Sequence, residues 1–329
     1  MPRALITGIR GQDGRYLAEF LHGKGYEIFG LVHDARTDDS RVAREMPFVN
    51  LVRGNLTDIT SLVRACEEAQ PDEIYNLGSQ SAVDLSFTEP KATMDVTGLG
   101  PMNFLEALRI WNPGGDAKFY QASSSEMFGD AGTLPYSEQT QFRPRSPYAI
   151  AKVLAHHATR MYREAYGIYA STGICFNHES PRRGHNFVTR KISTAVARIS
   201  LGLQAKLVLG RLDSRRDWGF AGDYVEAMWL TLQHSEPDDF IVATGESHSV
   251  EEFVELAFAR VGIADWRNYV VQDERFFRPL DVMDLCGDNS KARTSLGWKP
   301  AIRFEELVNM MVDADIELAK TSTTSSSAT

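Results

Sequence analysis

The first residues alternate between short apolar runs and amphipathic stretches that glycines separate. "RALIT" is typical of a buried strand, "GIRGQDG" of a turn, and "YEIFGLVHD" of a second strand. Between them, Tyr16, Leu17, Phe20 and Leu21 recur at three- and four-residue spacing, which places them on one face of a helix. The opening segment is therefore predicted to fold as strand, glycine turn, helix and strand.

The same rhythm repeats along the first half of the chain. Strand patterns in "VNLVRGNLTD", "DEIYNLGSQ" and "AKFYQASSS" alternate with helix patterns in "ITSLVRACEEA" and "GLGPMNFLEALRIW". Such alternation indicates βαβ units with right-handed crossovers, and these units build a parallel sheet. We therefore predict an α/β fold with a doubly wound parallel Rossmann-type sheet, whose ligands bind beyond the carboxyl ends of the strands.

The rhythm changes after about residue 176, where "FNHESPRRGHNFVTRK" is polar and rich in turn residues. "ISTAVARISLGLQ", "SVEEFVELAFARVG" and "FEELVNMMVDADIELAK" predict helices and "LVLGR" a short strand, whereas "FAGDYVEAMWLTLQHS" and "DFIVATG" resemble a last helix and strand of the first sheet. Two interleaved domains are predicted: residues 1–176 plus about 217–246, and about 177–216 plus 247–319 as a smaller α/β C-terminal domain. Residues 320–329, "KTSTTSSSAT", are predicted to be a disordered tail.

Composition indicates which partners and which cellular location to expect, and it does not distinguish between folds. A net charge of -9 and a pI near 5.5 disfavour a nucleic-acid partner, which needs a basic face. No apolar run approaches the roughly 18 residues of a membrane helix, and "MPRALITG" lacks the features of a signal peptide. Cys66, Cys175 and Cys286 are far apart, which favours reduced core residues in a cytoplasmic protein and no metal site.

The first turn carries a candidate phosphate site. Gly8, Gly11 and Gly14 form G-x-x-G-x-x-G between a strand and a helix, a spacing that differs from the usual G-x-G-x-x-G. Glycines there let the backbone turn tightly and approach a pyrophosphate at the helix N-terminus. The alternative is a tight turn without a ligand. The strand-turn-helix context favours the phosphate, so the first domain is predicted to bind a dinucleotide.

The end of the second strand bears on the choice between NAD and NADP. Asp34 lies about 20 residues after Gly14, where an acid accepts hydrogen bonds from the adenosine ribose and selects NAD. An arginine would instead favour the 2′-phosphate of NADP, and Arg36 is close enough to blur the choice. Both residues could also be solvated loop charges. "GNLTD" places Asn55 and Leu56 at a third strand end, beside the expected adenine.

The run "FYQASSSEMFG" ends a strand with three serines and a glutamate. A serine followed by an acid is typical of a helix cap, and this is one interpretation of the run. Further along, "PRSPYAIAKVLAHH" places Tyr148 and Lys152 four residues apart on one helix face. An ammonium there can stabilise a phenolate and lower the tyrosine pKa, which a tyrosine base needs at neutral pH. His156 and His157 follow without metal-ligand spacing and are interpreted as structural.

Together these residues resemble the extended short-chain dehydrogenase/reductase superfamily and, within it, the GDP-mannose 4,6-dehydratase family. The resemblance spans residue 3 to about 318. It rests on the motifs "ALITGIRGQDGRYLAEFL", "YNLGSQS", "FYQASSSEMFG", "RSPYAIAK", "FNHESPRRGHNFVTRK", "RDWGFAGDYVEAMW", "FFRP" and "LGWKP".

The resemblance implies a nucleotide-sugar lyase with four catalytic residues. Ser124, Tyr148 and Lys152 would form the triad that oxidises C4 of the sugar, with serine where some family members carry threonine. Glu126 would remove the C5 proton and help hydroxide leave C6 as water. Hydride would then return to C6, giving a 4-keto-6-deoxy sugar without net redox change.

The resemblance also implies two sets of binding residues. The NAD- or NADP-binding set comprises Gly8, Gly11, Gln12, Asp13, Gly14, Asp34, Arg36, Asn55, Leu56, Leu77, Gly78, Tyr148, Lys152 and His178. The GDP-sugar-binding set, in the predicted nucleotide-sugar substrate domain and the facing loops, comprises Ser79, Ser81, Ser125, Asn177, Glu179, Val188, Lys191, Gly210, Arg211, Arg216, Arg278 and Asp281. Arginines suit a diphosphate because their donors are forked and permanently charged, although each could instead form a surface salt bridge. His178 is expected to orient a loop by hydrogen bonding rather than to catalyse.

Several positions depart from the expected family pattern. Asp34 stands where an arginine is expected in a loop that reaches NADP and a neighbouring subunit. Arg10, Gly78, Ala82 and the residues around Asp281 also differ. Arg211 is a further departure, and with Ala82 it faces the expected substrate.

These departures keep two other functions open. One is a GDP-sugar epimerase or reductase acting on a modified or longer GDP-sugar, and the other is a non-catalytic nucleotide-sugar or dinucleotide sensor. The complete set of four catalytic residues argues against the sensor. The expected partners are a GDP-sugar and a second copy of the chain, as a homodimer or homotetramer, with neither a nucleic acid nor a membrane.

Overall fold

The computed structural model describes residues 1–33, 40–277 and 280–326 of the chain. Its strands are short, and the first begins at Arg3. In chain order they are β1 Arg3–Thr7, β2 Glu27–Val32, β3 Val49–Arg53, β4 Glu73–Asn76, β5 Lys118–Ser124, β6 Ala170–Cys175, β7 Asn177–Glu179, β8 Leu207–Leu209, β9 Arg215–Arg216, β10 Trp218–Phe220, β11 Asp239–Val242, β12 His248–Ser249, β13 Val270–Gln272 and β14 Asp284–Leu285.

Helices connect most of these strands. They are α1 Gln12–Gly23, α2 Ser40–Glu45, α3 Ile59–Ala69, α4 Val83–Thr88, α5 Pro90–Thr93, α6 Gly100–Trp111, α7 Pro147–Tyr166, α8 Val188–Ser200, α9 Ala221–Gln233, α10 Val250–Arg260, α11 Ser290–Ser295 and α12 Phe304–Ser326. A π-helical segment, Met94–Leu99, joins α5 to α6, and single 3-10 turns occur at Ser125–Met127, Trp266–Asn268 and Glu274–Phe276.

Seven strands form one parallel sheet in the order β11-β6-β5-β4-β1-β2-β3. The chain starts in β1, builds outward to β3, and then returns to β4 on the other side of β1. This reversal makes the carboxyl ends of β1 and β4 the switch point, where doubly wound sheets bind ligands. The predicted fold class is confirmed.

Apolar side chains fill both faces of this sheet because the strands are buried between helices. On one face, Leu17 and Leu21 of α1 pack with Tyr224 and Met228 of α9. On the other face, the residues of α3 and α6 form a separate core with Leu5, Ile74 and Phe119. The sheet is therefore held from both sides, and its carboxyl edge is left to polar residues.

The C-terminal region has a core of its own. Helices α8, α10 and α12 pack around Trp218, whose ring stacks on Phe304 with centroids 5.8 Å apart. Small strands edge this core: β12 and β14 flank β9, β13 pairs with β8, and β10 pairs with β7. The arrangement places β7, β9 and β14 next to the carboxyl edge of the large sheet.

The last helix corrects one prediction. The serine- and threonine-rich composition predicts disorder from Lys320, but α12 continues to Ser326. The helix persists because residues 304–326 contain no glycine or proline. The Thr321 hydroxyl also donates to the carbonyl of Glu317 at 2.7 Å. Residues 327–329 lie outside the described range.

The described ranges also bear on membrane and metal binding. None of their helices combines the length and hydrophobicity that a membrane span requires. Within the same ranges, no group of three histidine, cysteine or acidic side chains is arranged to hold a metal ion. Cys66, Cys175 and Cys286 are all free thiols, and the first two are buried.

Asp217 joins three loops beside the carboxyl edge. Its carboxylate is fully buried between β9 and β10. It accepts hydrogen bonds from the amide and hydroxyl of Thr244, at 2.8 and 2.6 Å, and from the amides of Gly245 and Gly287, at 2.9 and 3.3 Å. The loops that follow β11 and β14 are thereby fixed to Asp217, the residue between β9 and β10.

Replacement of this carboxylate is expected to lower stability strongly. Asp217→Ala leaves buried donors without an acceptor, so the free energy of unfolding should fall by about 3 kcal/mol. Urea denaturation measures the change. Asp213→Ala is the matched control, because its side chain is 61% exposed and its ion pair with Arg211 is worth at most about 1 kcal/mol. Equal losses for the two variants would contradict this account.

Candidate active site

The switch point is spanned by a ladder of buried polar side chains. The Thr7 hydroxyl donates to Asn76 Oδ1 at 2.7 Å, and Asn76 Nδ2 donates to Gln121 Oε1 at 2.8 Å. The Gly78 amide donates back to Thr7 Oγ1 at 2.7 Å, and Gln121 Nε2 donates to the carbonyl of Ala122 at 2.9 Å. Three neighbouring strands are thus held in register where a ligand is expected.

The glycine turn forms a bare backbone cradle at this point. Gly8 has φ +70, a conformation that favours glycine. A Cβ on Gly14 would lie 2.4 Å from the carbonyl oxygen of Gly8, and a Cβ on Gly8 would lie 3.0 Å from the backbone of Leu77 and Gly78. Gly11 caps α1 without a side-chain acceptor for its amides. The turn therefore has the shape that a pyrophosphate requires.

The start of α1 is tied to β7 through side chains. Gln12 Nε2 donates to the carbonyl of His178 at 3.0 Å, and the Ser180 hydroxyl donates to Gln12 Oε1 at 2.7 Å. His178 Nε2 lies 2.9 Å from Asp13 Oδ2, and its Nδ1 lies 2.7 Å from the carbonyl of Phe176. These bonds give His178 the orienting contacts that the sequence predicts for it.

The two members of the Asp13–His178 pair each favour the charged form of the other. Burial opposes ionisation of both groups, but each partner's charge and hydrogen bond outweigh it. The pKa of Asp13 falls to about 2, and the pKa of His178 rises above its ordinary value. An ion pair therefore fastens the glycine turn to the strand that enters the second domain.

The serine run is a cap and part of the site at once. Ser124 ends β5, and its Oγ accepts the amide of Glu126 at 3.3 Å, which caps the 3-10 turn Ser125–Met127. The side chains of Ser124, Ser125 and Glu126 are all buried. Glu126 is therefore fixed directly after the strand, with its backbone amide bound to the hydroxyl of Ser124 and its charge close enough to act on Tyr148.

Helix α7 brings Tyr148 and Lys152 to the same strand end. Ser146 caps the helix by accepting the Ala149 amide at 3.1 Å, and Pro147 occupies its first turn. Lys152 Nζ donates to the carbonyl of Ala122 at 2.7 Å, and the hydroxyl of Ser124 hydrogen bonds to Tyr148. The predicted triad is thus assembled from β5 and α7.

The pKa values in this cluster correct one expectation. Burial raises the pKa of Tyr148 well above 10, and the Ser124 hydrogen bond offsets only part of this effect. Burial also lowers the pKa of Lys152 to about 8. The predicted lowering of the tyrosine pKa by Lys152 is wrong for the chain alone, because the ammonium bonds to a backbone carbonyl and lies 5.7 Å from the ring centroid of Tyr148.

Arg216 connects the catalytic end of β5 to the second domain. Its Nε lies 4.0 Å from Glu126 Oε1, and its Nη2 lies 3.5 Å from Asp281 Oδ1. Its Nη1 donates to the carbonyls of Arg215 and Val282, both at 2.8 Å. The guanidinium is 9% exposed, so a buried positive charge lies between two carboxylates of the predicted site.

A second, largely buried arginine lies near Tyr148. Arg183 Nε lies 3.1 Å from Glu179 Oε2, which also accepts the Thr189 hydroxyl at 2.6 Å. The positive charge of Arg183 acts on both Tyr148 and Asp13. Arg183 is absent from the binding residues predicted from the sequence. The doubled arginine in "SPRRG" was the available signal, since its neighbour Arg182 pairs instead with Glu19 at the surface.

The other predicted binding residues occupy two regions. Near the glycine turn, Asn55 binds its own loop through the Thr57 amide at 3.0 Å, and Leu56 is buried. Leu77, Gly78, Ser79 and Ser81 follow the end of β4.

In the second domain, Val188 and Lys191 begin α8, and Lys191 Nζ lies 4.3 Å from the ring centroid of Phe276. A Cβ on Gly210 would lie 2.9 Å from the carbonyl oxygen of Phe276. Arg211 is bound by Asp213 through two hydrogen bonds, at 3.0 and 2.7 Å. Asp34, Arg36 and Arg278 lie outside the described residues.

The chain is similar to known proteins over most of its length. A model of the family described as GDP-mannose 4,6 dehydratase matches residues 5–311. This chain belongs to that family. A relative from Arabidopsis thaliana, GDP-mannose 4,6 dehydratase 2, is 53% identical over 328 residues, which cover 96% of this chain and 87% of the relative. The resemblance found in the sequence motifs is confirmed.

Solved structures share the fold of this dehydratase-family chain. The UDP-glucose 4-epimerase of Thermus thermophilus, solved with NAD, is 26% identical, with a TM-score of 0.81 over 95% of this chain and 98% of that one. The protein RMD from Pseudomonas aeruginosa, solved with NADPH, is 25% identical, with a TM-score of 0.79 over 96% and 99% of the two chains. Related folds therefore hold either nicotinamide cofactor.

Removal of the buried ammonium is expected to stabilise the fold. Between pH 8 and 10.5 the unfolded chain keeps a proton on Lys152 that the folded chain has lost, so stability rises with pH in this window. Below it the cost of burying the charge is complete. Lys152→Met should therefore raise the free energy of unfolding at neutral pH by about 1–3 kcal/mol, an advantage that shrinks as the pH approaches 10.5.

Urea denaturation at neutral and alkaline pH measures this difference. The carbonyl of Ala122 keeps its bond from Gln121, so the variant leaves no buried acceptor unpaired. Lys91→Met is the control, because the Lys91 side chain is 88% exposed and should show no such pH dependence. A Lys152→Met protein that is less stable than wild type at neutral pH would show that the ammonium is not strained by burial.

Proposed function

We propose that this chain converts GDP-mannose to its GDP-4-keto-6-deoxy sugar by oxidation at C4, elimination of water across C5 and C6, and hydride return to C6. The observation that carries the proposal is the position of Glu126, buried directly beside Ser124 and Tyr148. A triad of Ser124, Tyr148 and Lys152 suffices for oxidation alone. A carboxylate at the same strand end adds the base that elimination needs.

In the proposed first step, Tyr148 accepts the proton of the sugar 4-hydroxyl while a hydride leaves C4. Ser124 holds the hydroxyls of the tyrosine and of the sugar in line. Because burial raises the pKa of Tyr148, its phenolate needs nearby positive charge. Lys152, one helical turn away, and Arg183 supply positive charges on the protein side.

The proposed second step belongs to Glu126. The 4-ketone makes the proton at C5 acidic, and Glu126 removes it as a carboxylate. The protonated acid then gives this proton to the departing C6 hydroxyl, which leaves as water. Arg216, whose Nε lies 4.0 Å from Glu126 Oε1, places a positive charge beside this carboxylate.

The cofactor of the reaction is a nicotinamide dinucleotide, which accepts the hydride from C4 and returns it to C6. The residues present fit this group, because the glycine turn leaves no room for a side chain where the pyrophosphate would lie. Leu77 and Gly78 border the same turn, and Asp13 and His178 would fix its helix to β7. We propose NAD as the specific cofactor, since Asp34 is an acid at the position that meets the adenosine ribose.

The proposed diphosphate contacts come from Asn177, Arg216 and Arg278. Asn177 Oδ1 is buried without a hydrogen-bond partner, and as an acceptor it would take a hydroxyl of the ligand, so the proposed diphosphate contact of Asn177 would come from its Nδ2. Val188 and Lys191 would form the guanine pocket at the start of α8, and Asp281 would bind the ribose. The proposal also includes a homodimer or homotetramer in the cytoplasm, which the family resemblance alone supports.

The proposed reaction has a direct product assay. Wild-type protein with GDP-mannose and NAD or NADP is expected to give a GDP-sugar that has lost one water, as mass spectrometry measures. Glu126→Gln should lower kcat for this product by about 100- to 10,000-fold, because the amide cannot take the C5 proton. Ser124→Thr is the matched control and should retain activity, since it keeps the hydroxyl beside Glu126.

One result would count against the dehydratase, and another against the role of Glu126. Exchange of the C5 hydrogen with solvent deuterium without loss of water would favour the epimerase. Unchanged water loss in Glu126→Gln would transfer the elimination step to another residue.

The cofactor proposal predicts a change of preference. Asp34→Arg should shift the ratio of kcat/KM values for NAD and NADP toward NADP, because an arginine attracts the 2′-phosphate that aspartate repels. Asp58→Ala is the control. The Asp58 carboxylate accepts the Thr60 amide at the start of α3, so its removal should leave the preference between NAD and NADP unchanged. Steady-state kinetics with each dinucleotide measure the ratio. Equal preference in wild type and Asp34→Arg would remove Asp34 from the selection of cofactor.

A further inference from the structure

Helix α7 contacts three consecutive residues of β5 from three successive turns. Tyr148, Lys152 and His156 follow one another at four-residue spacing and lie on one face of the helix. Tyr148 bonds to the Ser124 hydroxyl, and Lys152 donates to the carbonyl of Ala122 at 2.7 Å. His156 Nδ1 lies 3.2 Å from Ser123 Oγ, the residue between them. The histidine therefore completes a row of contacts that begins with the catalytic pair.

His156 is itself held in place by neighbouring strands. Its Nδ1 lies 3.2 Å from Thr172 Oγ1 of β6, and its Nε2 lies 4.0 Å from Asp239 Oδ2 of β11. Asp239 is fixed by two hydrogen bonds from Arg163, at 3.2 and 3.0 Å, and by one from Thr172 at 2.9 Å. Two further strands thus determine where the imidazole ring lies over Ser123.

The hydrogen bonds around His156 indicate the direction of its bond to Ser123. Burial lowers the pKa of His156 to about 4, so the ring is neutral at pH 7 and carries one proton. The Thr172 hydroxyl donates its proton to Asp239, so toward His156 it can only accept, and Nδ1 is the nitrogen that carries the ring proton. Ser123 Oγ, 3.2 Å from the same nitrogen, then accepts from Nδ1 as well. Ser123 and His156 are 3% and 2% exposed, so this serine meets no substrate and does not serve as a nucleophile.

We propose that His156 is a positioning residue of the dehydration reaction: by binding Ser123, it fixes the end of β5 so that Ser124 and Glu126 face the sugar. The inference rests on the proposed function. Ser123 precedes Ser124 directly, and the cap on Glu126 starts from Ser124, so a shift at Ser123 passes to both catalytic groups. A displacement of about 1 Å is enough to cost roughly 100-fold in rate.

The test compares four variants of the full-length protein in the GDP-mannose assay. His156→Phe keeps an aromatic ring but removes the donor, and Ser123→Ala removes the acceptor; each should lower kcat by about 10- to 100-fold with KM for GDP-mannose unchanged. His156→Asn places an amide N–H where Nδ1 lies and should recover most of kcat. His157→Phe is the matched control, because this neighbouring histidine is exposed and should leave kcat unchanged.

The double variant Ser123→Ala/His156→Phe separates positioning from general loss of structure. If the two residues act through one bond, the double variant should be no slower than the slower single variant, whereas independent effects on folding would multiply. Wild-type kcat in Ser123→Ala would overturn the inference, even if His156→Phe fails to fold. Failure of His156→Asn to exceed His156→Phe in kcat would overturn it too. An inactive wild type would instead reject the proposed function, so the two failures remain distinct.

Discussion

The contact between Lys152 and the carbonyl of Ala122 is the constraint on which the site depends. A buried ammonium must have an acceptor, and the strand end supplies one at 2.7 Å. Once this bond is made, the helical repeat places Tyr148 one turn earlier, at the hydroxyl of Ser124. The cap that Ser124 forms then fixes Glu126. The packing of α7 against β5 therefore positions the groups that are proposed for both oxidation and elimination.

The buried charged groups around this contact differ in the partners that they have. Asp13 and His178 neutralise each other and stabilise the joint between the glycine turn and β7. Arg216 has carboxylates on two sides, Glu126 and Asp281, and so keeps positive charge where the proposed diphosphate and elimination base meet. Lys152 has a carbonyl rather than a carboxylate as its partner, which leaves its charge destabilising. The fold thus concentrates its electrostatic cost at Lys152, one helical turn from the proposed base of the oxidation step, Tyr148.

The sequence predicts the sheet and the triad well because both depend on local patterns. Strand and helix periodicities mark the large elements, and the spacing of Tyr148 and Lys152 fixes their common face. Predictions from the sequence fail where the structure depends on contacts between residues far apart in the chain or on how far a helix continues. The tail was expected to be disordered from composition, although no helix breaker precedes Ser326. The network of His156 could not be predicted, because Thr172 and Asp239 become its neighbours only when β6 and β11 pair. The predicted substrate contact of Arg211 stays a prediction, and the sequence does not show that Asp213 binds this arginine in the structure.

The serine run shows why a capping motif and a catalytic motif need not compete. A hydroxyl has one donor and two acceptor sites, so Ser124 can accept the Glu126 amide and still bond to Tyr148. The cap is useful to the chemistry, because it holds the carboxylate of Glu126 at a fixed distance from the hydroxyl that orders the sugar. Ser123, one residue earlier, bonds to His156, and residues of β6 and β11 hold that histidine in place. Ser123 and Ser124 therefore join the interior of the sheet to the groups that are proposed to act on the substrate.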